Sequence, residues 1–416
     1  MTEKISILYV HHSTGWGGAP INIINIIKEL DKRKYYAKVL LIKDSIVSDI
    51  LKENNIDYIV AQSKFYKYMY TYYSHTMAGY VKWYSIHQHL RLGLCWLLSR
   101  YYFAGRELRR SDCDLIHLNS SVLTDWLAPA SQKCKVVYHI QEPLTRGLIG
   151  LRFSFFRYLV RRYANRVVAI SEDNAKRIAL PEKTTVVYNF AVISNEEPDE
   201  SSYSSKKFLY LGGASEIKGF FTMLKALDYL NKDVIVLFYG KYEKNKVINS
   251  TLKKVYKNLL GYNRFRDTAL GKLHSHSNAA VFGVVQSTDR LFASVCCLVS
   301  PFTVPHFSRP VIESHLHKKP VIVSDVEGMT EIVEHDNTGI IVPKNNPRAL
   351  ADAMNELASN HCKARALGEA GYRVAIKRYS QSNVQKIESI YEEMHNNNVS
   401  SLSKKIKKPH SDTVGV

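Results

Sequence analysis

The chain is poor in cysteine and shows no cysteine pattern. Its 416 residues hold six, at positions 95, 113, 134, 296, 297 and 362, and none forms a CxxC pair. That excludes a zinc-binding framework and a disulfide scaffold, and suits a reducing compartment. No uninterrupted apolar run reaches the ~18 residues that cross a bilayer. The nearest, Leu92 to Ala104, is too short and is broken by Arg100. The opening MTEKISILYV reads as a strand behind charged residues, without the apolar core and small-residue cleavage site of a secretory leader. No GxGxxG follows any strand-like run, which argues against a nicotinamide dehydrogenase. No carboxylate pair with DxD spacing lies at a credible strand end, so no metal is expected. Acid is scarce too: 38 Asp plus Glu face 57 Lys plus Arg, a formal balance of +19. Such an excess calls for an anionic partner: a membrane surface, nucleic acid or a phosphorylated substrate. No recognised RNA or DNA module is present, which disfavours nucleic acid.

What is present is globular. Hydrophobic residues make up 45% and charged residues 23%. The length exceeds one ordinary core and predicts two domains with appendages. Short apolar, β-branched runs recur with helical patterns between many of them. In the first half they are 5–10, 37–42, 57–61, 114–119, 135–140, 166–171 and 184–189; in the second, 207–212, 233–240, 279–285, 295–301, 320–325 and 338–343. Runs of this kind suit strands buried on both faces of a parallel sheet. The expected class is α/β, with two Rossmann-like doubly wound domains. SNEEPDESSYSSKK, Ser194 to Lys207, is polar, acidic and Ser-rich, so it reads as a connection with little core. The expected domains are 1–190, a linker 191–206, and 207–375. A helix over 376–395 and a disordered basic tail over 396–416, carrying KKIKK, complete the chain.

Two stretches are basic and aromatic. Phe65 to Arg110 is crowded with Tyr, Trp, Lys and Arg, and Leu144 to Arg166 contains no Asp or Glu. In the second, Arg157 with Arg161 and Arg162 with Arg166 are spaced i, i+4, and Leu151, Phe155, Tyr158, Leu159 and Tyr163 can form an apolar stripe. Basic amphipathic helices of this type bind anionic membranes. An ordinary surface helix with its aromatics in the core has the same pattern.

Four loops carry candidate chemistry. After the first strand, HHSTGWGGAP places Gly17 and Gly18 before a helix, allowing a tight turn and free N–H groups toward an anion or sugar oxygen. A plain βα turn also fits. HIQEP puts His139 at the carboxyl end of a strand, where open α/β sheets bind ligands, with Glu142 nearby. His139 could instead be satisfied by a backbone carbonyl. FLYLGGASEIKGFF follows a strand with Gly212, Gly213, Lys218 and Gly219; a Lys beside helix N-terminal amides stabilises a leaving diphosphate. Finally, RPVIESHLHKKPVIVSDVEGMTEIVEHDNTGIIVP reads as helix, strand, Gly turn, short helix and strand, with Glu313 in the first helix and Glu331 after the turn. A carboxylate there partners sugar or ribose hydroxyls, or is merely solvated.

The order Pro-Val-Ile-Glu, Lys-Pro-Val-Ile-Val-Ser, Gly-x-x-Glu-Ile-Val, Thr-Gly-Ile-Ile-Val-Pro resembles the donor-binding segment of glycosyltransferase family 4, the retaining GT-B sugar transferases. Smaller matches such as VVAISEDNAKRI, FGVV and LVSP extend the resemblance over most of Ile5 to Tyr391. The resemblance implies a GT-B fold with the two domains facing a central cleft, and the C-terminal helix crossing back to the first domain. It implies catalytic roles for His139, Lys218 and Glu313: His139 beside the sugar, Lys218 on the diphosphate, Glu313 on the ribose. Donor contacts would come from Gly17, Gly18, Gly212, Gly213, Lys218, Gly219, Ser308, Arg309, Val311, Ile312, Glu313, Gly328, Met329 and Thr330. Acceptor contacts would come from Gly17, Gly18 and Glu142, and Glu331 would orient its loop. No cofactor and no metal are implied beyond a nucleotide sugar donor. The expected activity is retaining, metal-independent transfer of a sugar to a hydroxyl of a lipid-linked glycan in cell-surface polysaccharide or glycolipid synthesis. Its place would be peripheral, at the cytoplasmic face of an anionic membrane. Two departures stand out. The family's Arg before the Lys-Gly is Gly213 here, and its Glu eight positions before the match to Glu313 is Pro305. They motivate the alternative of a non-catalytic GT-B subunit that binds a nucleotide sugar or a partner transferase.

Overall fold

Every strand-like run of the sequence becomes a strand, and every strand pairing is parallel. The structure, a computed structural model, describes residues 4–12, 14, 15, 17–71, 86–144, 150–191, 199–242, 262–285 and 287–406. The chain divides into two compact units, residues 1–189 with 381–416, and residues 190–380.

In the first unit β1 (Ile5–His11), β2 (Tyr35–Leu41), β3 (Tyr58–Val60), β4 (Leu115–Leu118), β5 (Lys135–Ile140), β6 (Arg166–Ala169) and β7 (Thr184–Val186) form one sheet in the order β3-β2-β1-β4-β5-β6-β7. In the second, β8 (Lys207–Tyr210), β9 (Ile235–Tyr239), β10 (Ala279–Phe282), β11 (Cys297–Ser300), β12 (Val321–Ser324) and β13 (Gly339–Val342) run β10-β9-β8-β11-β12-β13. Both are doubly wound sheets. Their order reverses between β1 and β4 and between β8 and β11, the places where such sheets open a crevice at the strands' carboxyl ends.

The strands are largely apolar because helices cover both faces. Leu8, Val10, Leu40, Ile116, Leu118 and Val136 are buried with Trp126 and Phe156 in the first core. Phe208, Val236, Phe238, Val299 and Ile322 are buried with Phe220, Met223 and Leu357 in the second. Each such side chain contributes roughly 1.5–3 kcal/mol relative to exposure. Local signals set the helix starts: the Ser171 hydroxyl accepts from Asn174 N at 3.0 Å, and Asn346 Oδ1 accepts from Ala349 N at 3.0 Å.

Three expectations change. The helix expected to stop at 395 runs Asn383–Ile406, into the segment read as tail; residues 407–416 lie outside the described residues. The segment read as a coreless linker is partly core. Its Glu200–Ser204 turn buries Tyr203, whose hydroxyl donates to Lys318 O at 2.7 Å, with the Lys319 ammonium over its ring. Residues 192–198 of that segment lie outside the description. The apolar stripe of the Leu151–Tyr163 helix also divides. Leu159 is in the core, while Leu151, Phe155 and Tyr158 face solvent. Among the described residues no helix is long and apolar enough to cross a membrane.

Candidate functional site

In the second unit three loops meet at the carboxyl ends of β8, β11 and β12. Gly219 holds φ +78°, and a Cβ there would stand 1.8 Å from Pro301 O. Gly328 holds φ +85°, and a Cβ would stand 2.6 Å from His306 O. These glycines therefore let the loop after β11 lie directly against both neighbouring loops. His306 N donates to Glu327 O at 2.9 Å, Thr303 N donates to Ile217 O at 3.0 Å, and the His306 ring stacks on Phe302 with centroids 4.0 Å apart. The Tyr210 hydroxyl lies 3.2 Å from the carbonyls of both Gly213 and Lys218 and fastens the β8 loop from beneath.

Lys218 emerges from this junction half-buried. Among the described residues it makes no ion pair, and burial lowers its pKa. The same burial, reinforced by the Lys218 charge, holds His306 neutral with a pKa of about 3. Arg309 opens the Arg309–Leu316 helix and bonds Glu313 Oε1 through Nη2 at 2.7 Å; Thr288 Oγ1 lies 3.3 Å from Glu313 Oε2. Arg309 Nε and Nη1, with the hydroxyl of Ser308, are buried without a partner among the described residues. Unpartnered buried donors cost stability unless something else binds them. The helix also starts without a side-chain cap at Ser308.

Several expected contacts are otherwise engaged. Val311 and Ile312 are fully buried core side chains. The Met329 and Thr330 amides both donate to Val326 O, at 3.1 and 3.3 Å, so they do not point free at a ligand. Arg378 Nη1 donates to Glu331 O at 2.8 Å and Nη2 lies 3.7 Å from its carboxylate, fixing that loop to the His361–Arg378 helix. Gly213, where the family has Arg, holds φ +57°, a conformation that resists a side chain. Gly212 is close-packed, its would-be Cβ 2.0 Å from the Tyr210 hydroxyl.

In the first unit Gly17 precedes the Gly18–Glu29 helix with extended backbone and no side-chain cap. Among the described residues a Cβ at Gly17 or Gly18 would meet nothing within 4 Å. Glu142 is bound inward: it accepts from Ser120 Oγ at 3.0 Å and from Ser121 N at 3.0 Å and Oγ at 2.5 Å. Burial raises its pKa against the pull of those bonds. His139 is 1% exposed, and both its ring nitrogens are occupied. Nδ1 lies 3.0 Å from His117 Nε2, and Nε2 lies 3.2 Å from Gln141 Nε2. Burial lowers the His139 pKa to about 3. His139 is thus an interior group, not one that reaches out. His117, Asn119, Gln141 and Thr288 escaped the sequence reading. The only available signal was imidazole in the middle of otherwise apolar strands.

Residues 194–374, nearly the whole second unit, match the family model described as glycosyl transferases group 1. An uncharacterized glycosyltransferase from Methanocaldococcus jannaschii is 25% identical over 312 residues, covering 73% of this chain and 82% of the relative. Among solved structures, Anabaena HepE in complex with UDP and glucose superposes with a TM-score of 0.70 at 20% identity, covering 93% of this chain and 99% of HepE. Sucrose-phosphate synthase from Thermosynechococcus elongatus gives 0.65 at 14% identity, covering 95% and 100%. The chain thus has the GT-B fold class, two Rossmann-like units in one polypeptide, and its second unit is similar to the group 1 glycosyl transferases over residues 194–374.

Proposed function

We propose that this protein is a retaining glycosyltransferase that takes a sugar from a nucleoside diphosphate sugar, with UDP the first nucleotide to test, and places it on a glycan hydroxyl. The observation that carries the reading is Lys218: a half-buried ammonium without a counter-ion among the described residues, at the reversal point between β8 and β11, inside the segment that matches the family model. A cation desolvated without a partner is favourable only when an anion arrives. The diphosphate meets Lys218, with no metal in that role, and Glu313, held by Arg309 and Thr288, takes the ribose hydroxyls. In the step, the bond from the sugar's anomeric carbon to the diphosphate oxygen breaks. The acceptor oxygen bonds that carbon on the same face, and the acceptor proton passes to the departing phosphate oxygen. The protein positions the partners and stabilises the leaving charge.

We take the acceptor to be met at an anionic membrane. In the first unit Leu90, Leu94 and Tyr101, on one helical run, and Leu151, Phe155 and Tyr158 are exposed, from 46% to 77%. The two helices join through Trp96, whose ring lies 5.6 Å from Phe155. Arg91, Arg161 and Arg162 lie exposed among them, and the one acid of the first stretch, Glu107, is buried against Arg110. Apolar side chains framed by arginines fit a lipid interface. That surface supports a lipid-linked glycan as acceptor, in cell-surface polysaccharide or glycolipid synthesis at the cytoplasmic face.

The test is a panel of nucleoside diphosphate sugars with membrane extract, reading free nucleoside diphosphate, for the wild type, Lys218→Ala and Glu313→Ala. Acceptor-dependent release with one donor, lost in both variants, is the expected result. Gly213 and Pro305 favour one other reading, a non-catalytic subunit; tight nucleotide binding with no turnover across the panel would establish that instead.

A further inference from the structure

We propose that Gln141 is the polar group the first unit presents to a sugar hydroxyl, and that His139, His117 and Tyr391 stand behind it as a directional hydrogen-bond relay that fixes its amide. The inference rests on the transferase reading for its ligand, and on the geometry of one unit for the relay.

The direction of the relay follows from one fixed acceptor. The carbonyl of Ala19 can only accept, and Asn119 Nδ2 donates to it at 3.3 Å. Asn119 Oδ1 is therefore the acceptor facing Gln141, whose Nε2 donates to it at 3.1 Å. The second hydrogen of that same amide nitrogen is directed at His139 Nε2, 3.2 Å away, so Nε2 accepts. A neutral His139 then carries its proton on Nδ1 and donates to His117 Nε2 at 3.0 Å. His117 in turn carries its proton on Nδ1 and donates to the Tyr391 oxygen at 2.6 Å. The Tyr391 hydroxyl is left to donate to Tyr9, 2.7 Å away.

The neutral state is secured by burial, which holds both imidazoles far below their ordinary pKa. No carboxylate takes part in the relay. Five residues, from β1, β4, β5, the loop after β5 and the Asn383–Ile406 helix, thus share one sense of hydrogen bonding. Its outer end is half-buried Gln141. With both amide hydrogens held inward, Gln141 keeps its oxygen as the available group. Among the described residues the one bond that oxygen accepts, from Asn189 Nδ2, is long at 3.4 Å. An amide oxygen at a strand's carboxyl end selects a hydroxyl donor, which is what a sugar offers. His139 is by this account a positioning residue.

The test reads nitrogen protonation in the full chain, labelled with ¹⁵N-histidine, at pH 7, with His139→Gln and His117→Gln identifying the signals. Both His117 and His139 are expected to be neutral and protonated on Nδ1. Gln141→Glu removes the donor facing His139, and Nε2 of His139 is expected to gain a proton. A wild-type His139 already protonated on Nε2, or a Gln141→Glu protein whose Nε2 stays bare, overturns the relay. In transfer assays Gln141→Ala should lose roughly tenfold or more in kcat/KM, the effect of one lost hydrogen bond to substrate. Wild-type kcat/KM in Gln141→Ala overturns the substrate contact. Tyr391→Phe should lower kcat about tenfold with little change in donor KM, and should disturb the His139 signal. A Tyr391→Phe protein with only a lower Tm, and unchanged nitrogen signals and kcat, shows that the helix merely packs. Should the wild type transfer no sugar at all, the transferase reading fails while the nitrogen spectra still judge the relay.

Discussion

Lys218→Met separates binding from stability. The substitution keeps an unbranched apolar side chain and deletes the ammonium. In the folded protein that ammonium is half-buried, its pKa is lowered by burial, and among the described residues it makes no ion pair. Removing it breaks no bond in the free protein and relieves a desolvated charge. Stability should therefore stay within about 0.5 kcal/mol of wild type or rise. Toward a diphosphate the same change deletes a charge-assisted hydrogen bond worth about 1.5–3 kcal/mol, or roughly 10- to 150-fold in Kd. Thermal unfolding without ligand and calorimetric titration with UDP read the two effects in one preparation. A variant destabilised by more than about 1 kcal/mol would show that Lys218 holds the fold together. Unchanged UDP affinity would show that the diphosphate does not meet Lys218. Either result refutes the reasoning.

Three further outcomes follow from the same geometry. Glu313→Ala strands the Arg309 guanidinium; breaking a buried pair costs about 3–5 kcal/mol, and because these side chains keep 18% and 15% exposure the loss should be nearer 2–3 kcal/mol, read in urea unfolding. Gly219→Ala forces a side chain into φ +78° and against Pro301 O, and should lower stability by about 2–4 kcal/mol together with nucleotide affinity. Four buried histidines outweigh the two buried carboxyls of Asp125 and Glu142, whose raised pKa values act in the opposite direction, in setting the pH dependence. His11 and His315 at about 4, and His139 and His306 at about 3, are depressed below the unfolded value near 6.5. Below pH 6.5 the unfolded chain binds protons that the folded chain refuses. Stability is therefore full above that pH and falls as pH drops toward 3, by up to about 1.4 kcal/mol per unit for each histidine. Urea midpoints between pH 7 and 4 measure the slope; a flat profile would contradict burial of these rings.

The sheets were legible because strands buried on both faces are written as short, β-branched apolar runs, and all such runs became parallel strands. Lys218, Glu313 and the glycines at 219 and 328 were legible as a pattern along one stretch of chain. Their reasons were not: that Gly219 and Gly328 admit the backbones of Pro301 and His306 is a three-dimensional fact. The Arg309–Glu313 pair was available at i, i+4 spacing, yet sequence could not say that it was buried. His139 illustrates the limit best. Its place at a strand's carboxyl end suggested a ligand contact, while its partners, His117 and Gln141, are fixed only by strand register and loop path. The helix past residue 395 was missed because few apolar residues mark it. Tyr203 was missed because one aromatic in a polar segment gives no periodicity.

Retention by this protein would show most clearly in the stereochemistry of its product. The protein is incubated with the UDP-sugar that supports turnover and with lipid-linked glycan from a membrane extract, and the new linkage is read by proton NMR at the anomeric position. The account predicts a linkage with the same anomeric configuration as the donor, absent with Lys218→Met. An inverted linkage, or no linkage with any nucleotide sugar despite bound nucleotide, would contradict it.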